Sequence, residues 1–458
     1  MQTSGTISIS ALRDSVRGRV IGPGDDGYDE ARTPFVGGVD KRPAAVVKVA
    51  DASDVRRVVE FARDAGAELA IRSGGHSAAA HCVSDGGIVL DVSDRKGIEI
   101  DPGTRTAWAE TGLTAAEYAV AAAEHGLVTG FGDTGSVGIG GITLGGGVGY
   151  LARNHGLTID DLLEAEVVTA DGEVLRVDEE SHPDLFWAIR GGGGNFGVAT
   201  RFRLRMHVHP TVVGGMLVLP ATAETIEGFL AEAQRASEDF SAIVNVMPAP
   251  PMPFVPQEQH GRIVILALVC YSGDPADAES ALTPFRALAT PIADMLRPIP
   301  YPEIYPPEDE SYHPVSAGHA FFVDAVDDAG VGTILERLES WDAMMRVAQI
   351  RVLGGAMARV PNDATAFAHR DRPIMITVAS LFADPAERSR HQAWVDSFAA
   401  ELQRGPRGTY VSFLPDVGPE RVREAYPGPT WDRLREVKRT YDPTNLFGLN
   451  QNIPPADR

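Results

Sequence analysis

Three blocks of glycine, at 73–75, 135–149 and 191–197, constrain this chain more than any other feature. Glycine gives up much conformational entropy on folding, so such density marks backbone that turns sharply or passes close to another group. The longest stretch reads GDTGSVGIGGITLGGGVGYLARNHGL over 132–157. Glycine-rich turns can aim successive N–H groups at a phosphate with no side chain in the way. The spacing is not that of the familiar nucleotide motifs. A dinucleotide fingerprint needs one G-x-G-x-x-G between a strand and a helix, with an acidic residue ~20 positions on. A P-loop needs G-K-[ST], which does not follow here. On the residues alone, a phosphate-bearing cofactor site and tight-turn scaffolding both stand.

The flanking sequence predicts an α+β chain of two domains. AAVVKVA (44–50), ELAIRS and GIVLDVS read as strands, with a helix over 53–65 starting near Asp54. TAAEYAVAAAEHG reads as a helix capped by Thr114 and stopped by Gly126. Asp171-Gly172 between two β-branched runs predicts a hairpin. From 211 to 414 the pattern changes to RIVILALVCYS (262–272) and QIRVLGGAMARV (349–360) as strands, with a long helix over 384–404. That predicts an antiparallel sheet with helices on one face. The boundaries are then 1–210 for one domain, completed by 415–458, and 211–414 for the other. The tail carries a helix that stops at Asp442-Pro443.

Charge and cysteine narrow the functions. A net charge of −22 offers no basic stripe for nucleic acid or an anionic membrane. Two cysteines, Cys82 and Cys270, give neither a disulfide framework nor a zinc site. No apolar run approaches the ~18 residues of a membrane span, and MQTSGTISISALRDS lacks the pattern of a secretory leader. The expectation is a cytoplasmic monomer or homodimer that binds neither nucleic acid nor membrane and holds no metal.

His76, in AIRSGGHSAAAHC (70–82), is the side chain that the glycines present. Gly74 and Gly75 let the backbone pass close to a ligand while the imidazole faces it. Zinc is a poor reading, because His81 has no H-E-x-x-H or cysteine partner.

Taken together, RSGGHS (72–77), SDGGIVLDVS (84–93), VGIGGITLGGGVGYLARNHGLTIDDL (137–162), DLFWAIRGGGGNFGVATRFRLRMH (184–207) and YDPTNLFGLNQNIPP (441–455) resemble the berberine bridge enzyme-like flavin-linked oxidases. These belong to the vanillyl-alcohol oxidase superfamily, with its PCMH-type FAD-binding domain. The resemblance spans almost the whole chain. It implies a two-domain PCMH-type fold and FAD as cofactor, bonded through the 8α-methyl to His76. Arg72, Ser73, Gly74, Gly75 and Ser77 would frame that attachment. Thr134, Gly135, Val137, Gly138, Gly141, Gly145 and Gly149 would line the flavin from the long block, with Val198 from the third. Asn450, Gln451 and Asn452 would lie by the ring edge.

Many members have a second tether, a cysteine at the position of Thr134, so the resemblance implies attachment through His76 only. Val137 stands where a small aliphatic residue resembles the gate for dioxygen. The family's catalytic bases are missing: Arg359 stands near the glutamate of the alkaloid oxidases. Phe413 stands at the second tyrosine of Y-x-N-Y, whose first survives as Tyr410. Strand alternation would put Arg351 and Arg359 on one face toward the flavin, where an arginine orients an anionic or carbonyl substrate. Tyr312, His313 and His319 are further acid–base candidates, and Trp187 and Phe196 read as core. The implied reaction is oxidation of a small organic molecule at a C–H next to oxygen or nitrogen, with dioxygen as acceptor. A dehydrogenase with another acceptor, and a degenerate flavoprotein that only binds a ligand, stay open beside it.

Overall fold

The computed structural model describes residues 7–309 and 311–457; the leader reading at residues 1–6 lies outside them. The first sheet orders its strands Arg19–Ile21, Ala45–Lys48, Ile88–Asp91, Leu69–Arg72, with the last three mutually parallel. A parallel pair needs a crossover, and the Ala52–Ala65 helix supplies it. Its cap is Asp51, one turn earlier than the sequence implied, and Gly66 ends it in a left-handed conformation. Asp54 is instead fully buried and accepts N–H groups from Arg17, Gly18 and Ala50.

A second, antiparallel sheet runs Ile98–Asp101, Thr106–Glu110, Val198–Arg205, Leu162–Val168, Val174–Val177. The hairpin at Asp171-Gly172 closes the last pair, with Gly172 at φ +89°. Thr114 and Glu117 form a reciprocal capping box on the Ala115–Ala123 helix.

The third sheet has eight antiparallel strands. Seven run in the order Ala293–Asp294, Val212–Pro220, Ile263–Tyr271, Phe240–Pro248, Met345–Val352, Ile374–Phe382, Val315–Val323, and Arg297–Ile299 joins beside Val212–Pro220. Helices Ala223–Arg235, Asp328–Ser340 and Arg388–Leu402 cover one face, burying Phe229, Ile334, Val395 and Phe398 against Val244, Ala267 and Ile376. Strand alternation sends the neighbouring side chains the other way. Ile243 and Cys270 share a core with Tyr118, Phe131 and Phe202. The large sheet therefore roofs the glycine-rich half.

The predicted strand over 349–360 is half right. Pairing ends at Val352; Gly354 and Gly355 turn with φ +105° and +63°, and Ala356–Arg359 is helical. The tail helix Pro429–Tyr441 stops at Asp442 as expected. Lys438, fully buried, joins Asp442 at 2.6 Å and the carbonyl of Asn195 at 2.7 Å. Asn195 in turn accepts from Ile453 N–H at 2.9 Å. This bolts the tail onto the third glycine block. Among the described residues, no helix is long and apolar enough to cross a membrane.

Candidate active site

Strand Leu69–Arg72 runs directly into the RSGGH turn. Ser73 donates to the Thr111 carbonyl at 2.6 Å. A Cβ on Gly74 would lie 2.2 Å from the Gly138 nitrogen, and one on Gly138 would lie 2.0 Å from Ser73 Oγ. Only glycine at both positions lets the two segments touch. Gly75, at φ +74°, then turns the chain so that His76 faces inward.

The segments meet around a cavity of about 390 Å3. Its walls are residues 73–78, the 132–148 stretch, Gly193–Ala199 including Val198, and the tail over 447–451. Thr134, Val137, Gly138, Gly141 and Gly145 all line it, as do Gly74, Gly75, His76 and Ser77. A Cβ on Gly141 would meet nothing within 4 Å, so this helix face opens onto space.

Four expected cofactor residues serve differently. Arg72 points away, donating to the carbonyls of Ala31, Arg32 and Thr33, and so braces the turn from behind. Gly135 packs against Tyr305 and Ala116, and Gly149 against the Gly132 backbone. Asn452 lies outside the wall, whereas Asn450 is part of it. The Asn450 Oδ1 atom is buried without a partner among the described residues. An unpaired buried acceptor is costly, and an N–H from a bound ring would satisfy it.

His76 stacks on Phe35 with ring centroids 4.0 Å apart. Its Nε2 lies 2.9 Å from Ser136 Oγ. Burial pulls its pKa down to about 4, against the opposing pull of Glu308 and Asp133. The imidazole is therefore uncharged at neutral pH and keeps a nucleophilic lone pair.

On the roof, Arg351 is buried and pairs with Asp133 at 2.5 Å. It also donates to Gln349 Oε1 at 2.7 Å, and its guanidinium sits 5.3 Å from the Phe413 ring. Gln349 donates onward to Asn245. Asp133 and Phe413 line the cavity, so Arg351 acts on it through Asp133. Tyr410 also lines it, but its hydroxyl accepts the Gly147 N–H at 3.0 Å and burial raises its pKa. It clamps the glycine loop as a neutral phenol.

Two further candidates are elsewhere. Arg359 falls in the short helix after the glycine turn, exposed and paired with Glu238. His319 projects toward the covering helices and binds Asp396 at 2.7 Å. Tyr312 is exposed, and His313 meets the Phe35 carbonyl. Trp187 and Phe196 are core, as expected. Sequence reasoning missed Asp133, Ser136, Glu308 and Phe35. The first two were legible in principle, since they flank Thr134 in GDTGS; Glu308 and Phe35 carry no motif at all.

A parallel crossover unit, an antiparallel sheet and a roofing sheet around a glycine-walled cavity are the arrangement expected of a flavoprotein oxidoreductase of the PCMH type. The comparisons agree. A family model described as "FAD binding domain" matches residues 43–178, and one described as "Berberine and berberine like" matches 409–454. An uncharacterized FAD-linked oxidoreductase of Bacillus subtilis, YvdP, is 32% identical over 463 residues, 96% of this chain and 98% of its own. The structure of 6-hydroxy-D-nicotine oxidase from Arthrobacter nicotinovorans superposes with a TM-score of 0.86 at 25% identity, covering 96% of this chain and 99% of that one. Glucooligosaccharide oxidase from Acremonium strictum, described as carrying a 6-S-cysteinyl, 8α-N1-histidyl FAD, shares the fold, with a TM-score of 0.87 at 22% identity over 99% and 100% of the chains. This chain belongs to the berberine bridge enzyme-like family of FAD-linked oxidoreductases.

Proposed function

We propose that the protein is an FAD-linked oxidase that carries its flavin on His76 alone. It oxidises a compact metabolite, such as an amine, an alcohol or a polyketide-like aromatic, at a C–H next to oxygen or nitrogen, and passes the electrons to dioxygen. The observation that carries this reading is His76: uncharged, stacked on Phe35, and set in the wall of a cavity whose glycines admit a flat ligand. Thr134 supports the single tether, because the doubly linked pattern needs a cysteine there.

FAD, when bound, supplies hydride acceptance and the later reaction with dioxygen. The Gly74–Gly138 contact and Gly141 would leave room for the ring system, and Asn450 would accept one of its N–H groups. Val137 keeps a small aliphatic side chain at the wall. Asp133, held by Arg351, accepts an O–H or N–H of the substrate and fixes the reacting carbon. Phe413 and Tyr410 shed water from that side.

The test is anaerobic addition of candidate substrates to the yellow protein, followed by air. Loss of the visible flavin band, then rapid recovery with one hydrogen peroxide per flavin, is the expected result. Bleaching without rapid recovery in air would instead establish a dehydrogenase with another acceptor. No bleaching by any amine, alcohol or aromatic would favour the degenerate binding protein.

A further inference from the structure

Ser136 has one hydroxyl proton, and the structure directs it at Glu308. Ser136 Oγ donates to Glu308 Oε2, while the Ser136 backbone N–H donates to Glu308 Oε1 at 3.0 Å. Both carboxylate oxygens are thus committed to one residue. A carboxylate accepts only, so the serine proton is spent and Ser136 Oγ must accept from its other neighbour, His76 Nε2, 2.9 Å away. That assigns the imidazole proton to Nε2 and leaves the lone pair on Nδ1. Among the described residues only Nε2 of this ring is engaged.

We propose that Glu308 and Ser136 are positioning residues that select the Nδ1-nucleophilic tautomer of His76 and take its proton as the flavin is attached. The inference rests on the His76 tether proposed above and adds the machinery that makes it. In the step, Nδ1 would bond to the 8α-methyl carbon, whose C–H proton would pass to the reduced ring. The electron pair of the broken C–H bond reduces the ring. The Nε2 proton passes to Ser136 as Ser136 passes its own to Glu308, so the product imidazole stays neutral. Dioxygen then takes the electron pair and two protons as hydrogen peroxide, which restores the oxidised ring.

The arrangement explains features that a structural role for Glu308 leaves idle. Glu308 comes from a proline-bordered loop of the other half of the chain, 172 residues from Ser136. Phe35 stacks on a face of the imidazole and holds the ring plane, while Ser136 meets the ring at its Nε2 edge. Hydrogen bonds to a second nitrogen generally decide which ring nitrogen acts, and a relayed proton acceptor lowers the barrier of proton-coupled steps.

The test compares wild type, E308Q, S136A and S136T as purified yellow proteins. Each is precipitated with acid, and the flavin in pellet and supernatant is measured against total flavin and intact mass. E308Q can donate to Ser136 and so reverse the direction of the chain, placing the proton on Nδ1. The expectation is normal total flavin in E308Q and S136A, with the acid-stable fraction at a fixed time after expression lowered about tenfold. S136T keeps a hydroxyl and restores linkage. Equal acid-stable flavin in wild type, E308Q and S136A would overturn the relay while sparing the tether. Acid-labile flavin in the wild type would overturn the tether itself, and the relay with it.

Discussion

The floor of the cavity is backbone and its roof is side chains. On the floor, Gly74, Gly138, Gly141 and Gly145 work through what they lack, and the tightest approach, Gly74 to Gly138, is between main-chain atoms of two glycine-rich segments. On the roof, Asp133, Arg351, Gln349, Asn245 and Phe413 arrive from separated segments, and they act through charge and hydrogen bonds. A floor of this kind suits a ligand that is always the same. A roof of this kind suits a substrate that differs between relatives, since one side chain can be changed without moving the backbone.

The two regions should break differently. The largest effect is expected on the floor, from Gly74→Ala. The new methyl would sit 2.2 Å from the Gly138 nitrogen and 2.8 Å from the Ser136 carbonyl, neither of which can step aside. The expectation is loss of most bound flavin together with about 3 kcal/mol of stability, read from the flavin-to-protein ratio and urea unfolding.

On the roof, Arg351→Met leaves Asp133 without its cation. The expected cost is about 2 kcal/mol, discounted because the carboxylate is partly open to solvent. Flavin content should stay normal while kcat/KM falls. Flavin loss in this variant would erase the distinction between floor and roof.

A smaller effect is expected from pH. His155 stacks on His207 and touches His209, and burial, with those two neighbours, lowers its pKa to about 3. Burial likewise lowers His81 to about 4. Each folded-state pKa lies below the unfolded value, so the unfolded chain binds the extra proton first. Their stabilising contribution is complete above the unfolded value of ~6.5 and falls as pH drops toward 4, by up to about 1.4 kcal/mol per pH unit for each group. Urea midpoints at pH 7 and pH 5 measure this, and His155→Gln should flatten the slope. The smallest effect belongs to Arg359→Ala. Loss of its exposed, solvent-screened pair with Glu238 should leave the urea midpoint and kcat/KM unchanged.

The same contrast explains what was legible in the sequence. Glycine blocks, the RSGGH turn, the hairpin at Asp171-Gly172 and the tail stop at Asp442-Pro443 are local signals, and the structure realises each of them. Arg359 misled because strand alternation was carried through Gly354-Gly355, whose positive φ angles end the strand and rotate everything after it. His319 misled because a histidine's chemistry marks it as an acid–base candidate without saying which face of the sheet it occupies, and the Arg388–Leu402 helix lies on its side. Glu308 had no signal. Its partner Ser136 lies in another segment, and only folding brings them together.

The central claim is that His76 carries the flavin. It is tested most directly by the visible spectrum of purified wild-type protein and His76→Ala before and after acid precipitation. A yellow wild-type pellet over a colourless supernatant, with the colour moved to the supernatant in His76→Ala, is the predicted result. Flavin released from the wild type by acid would contradict the attachment, whatever the fold.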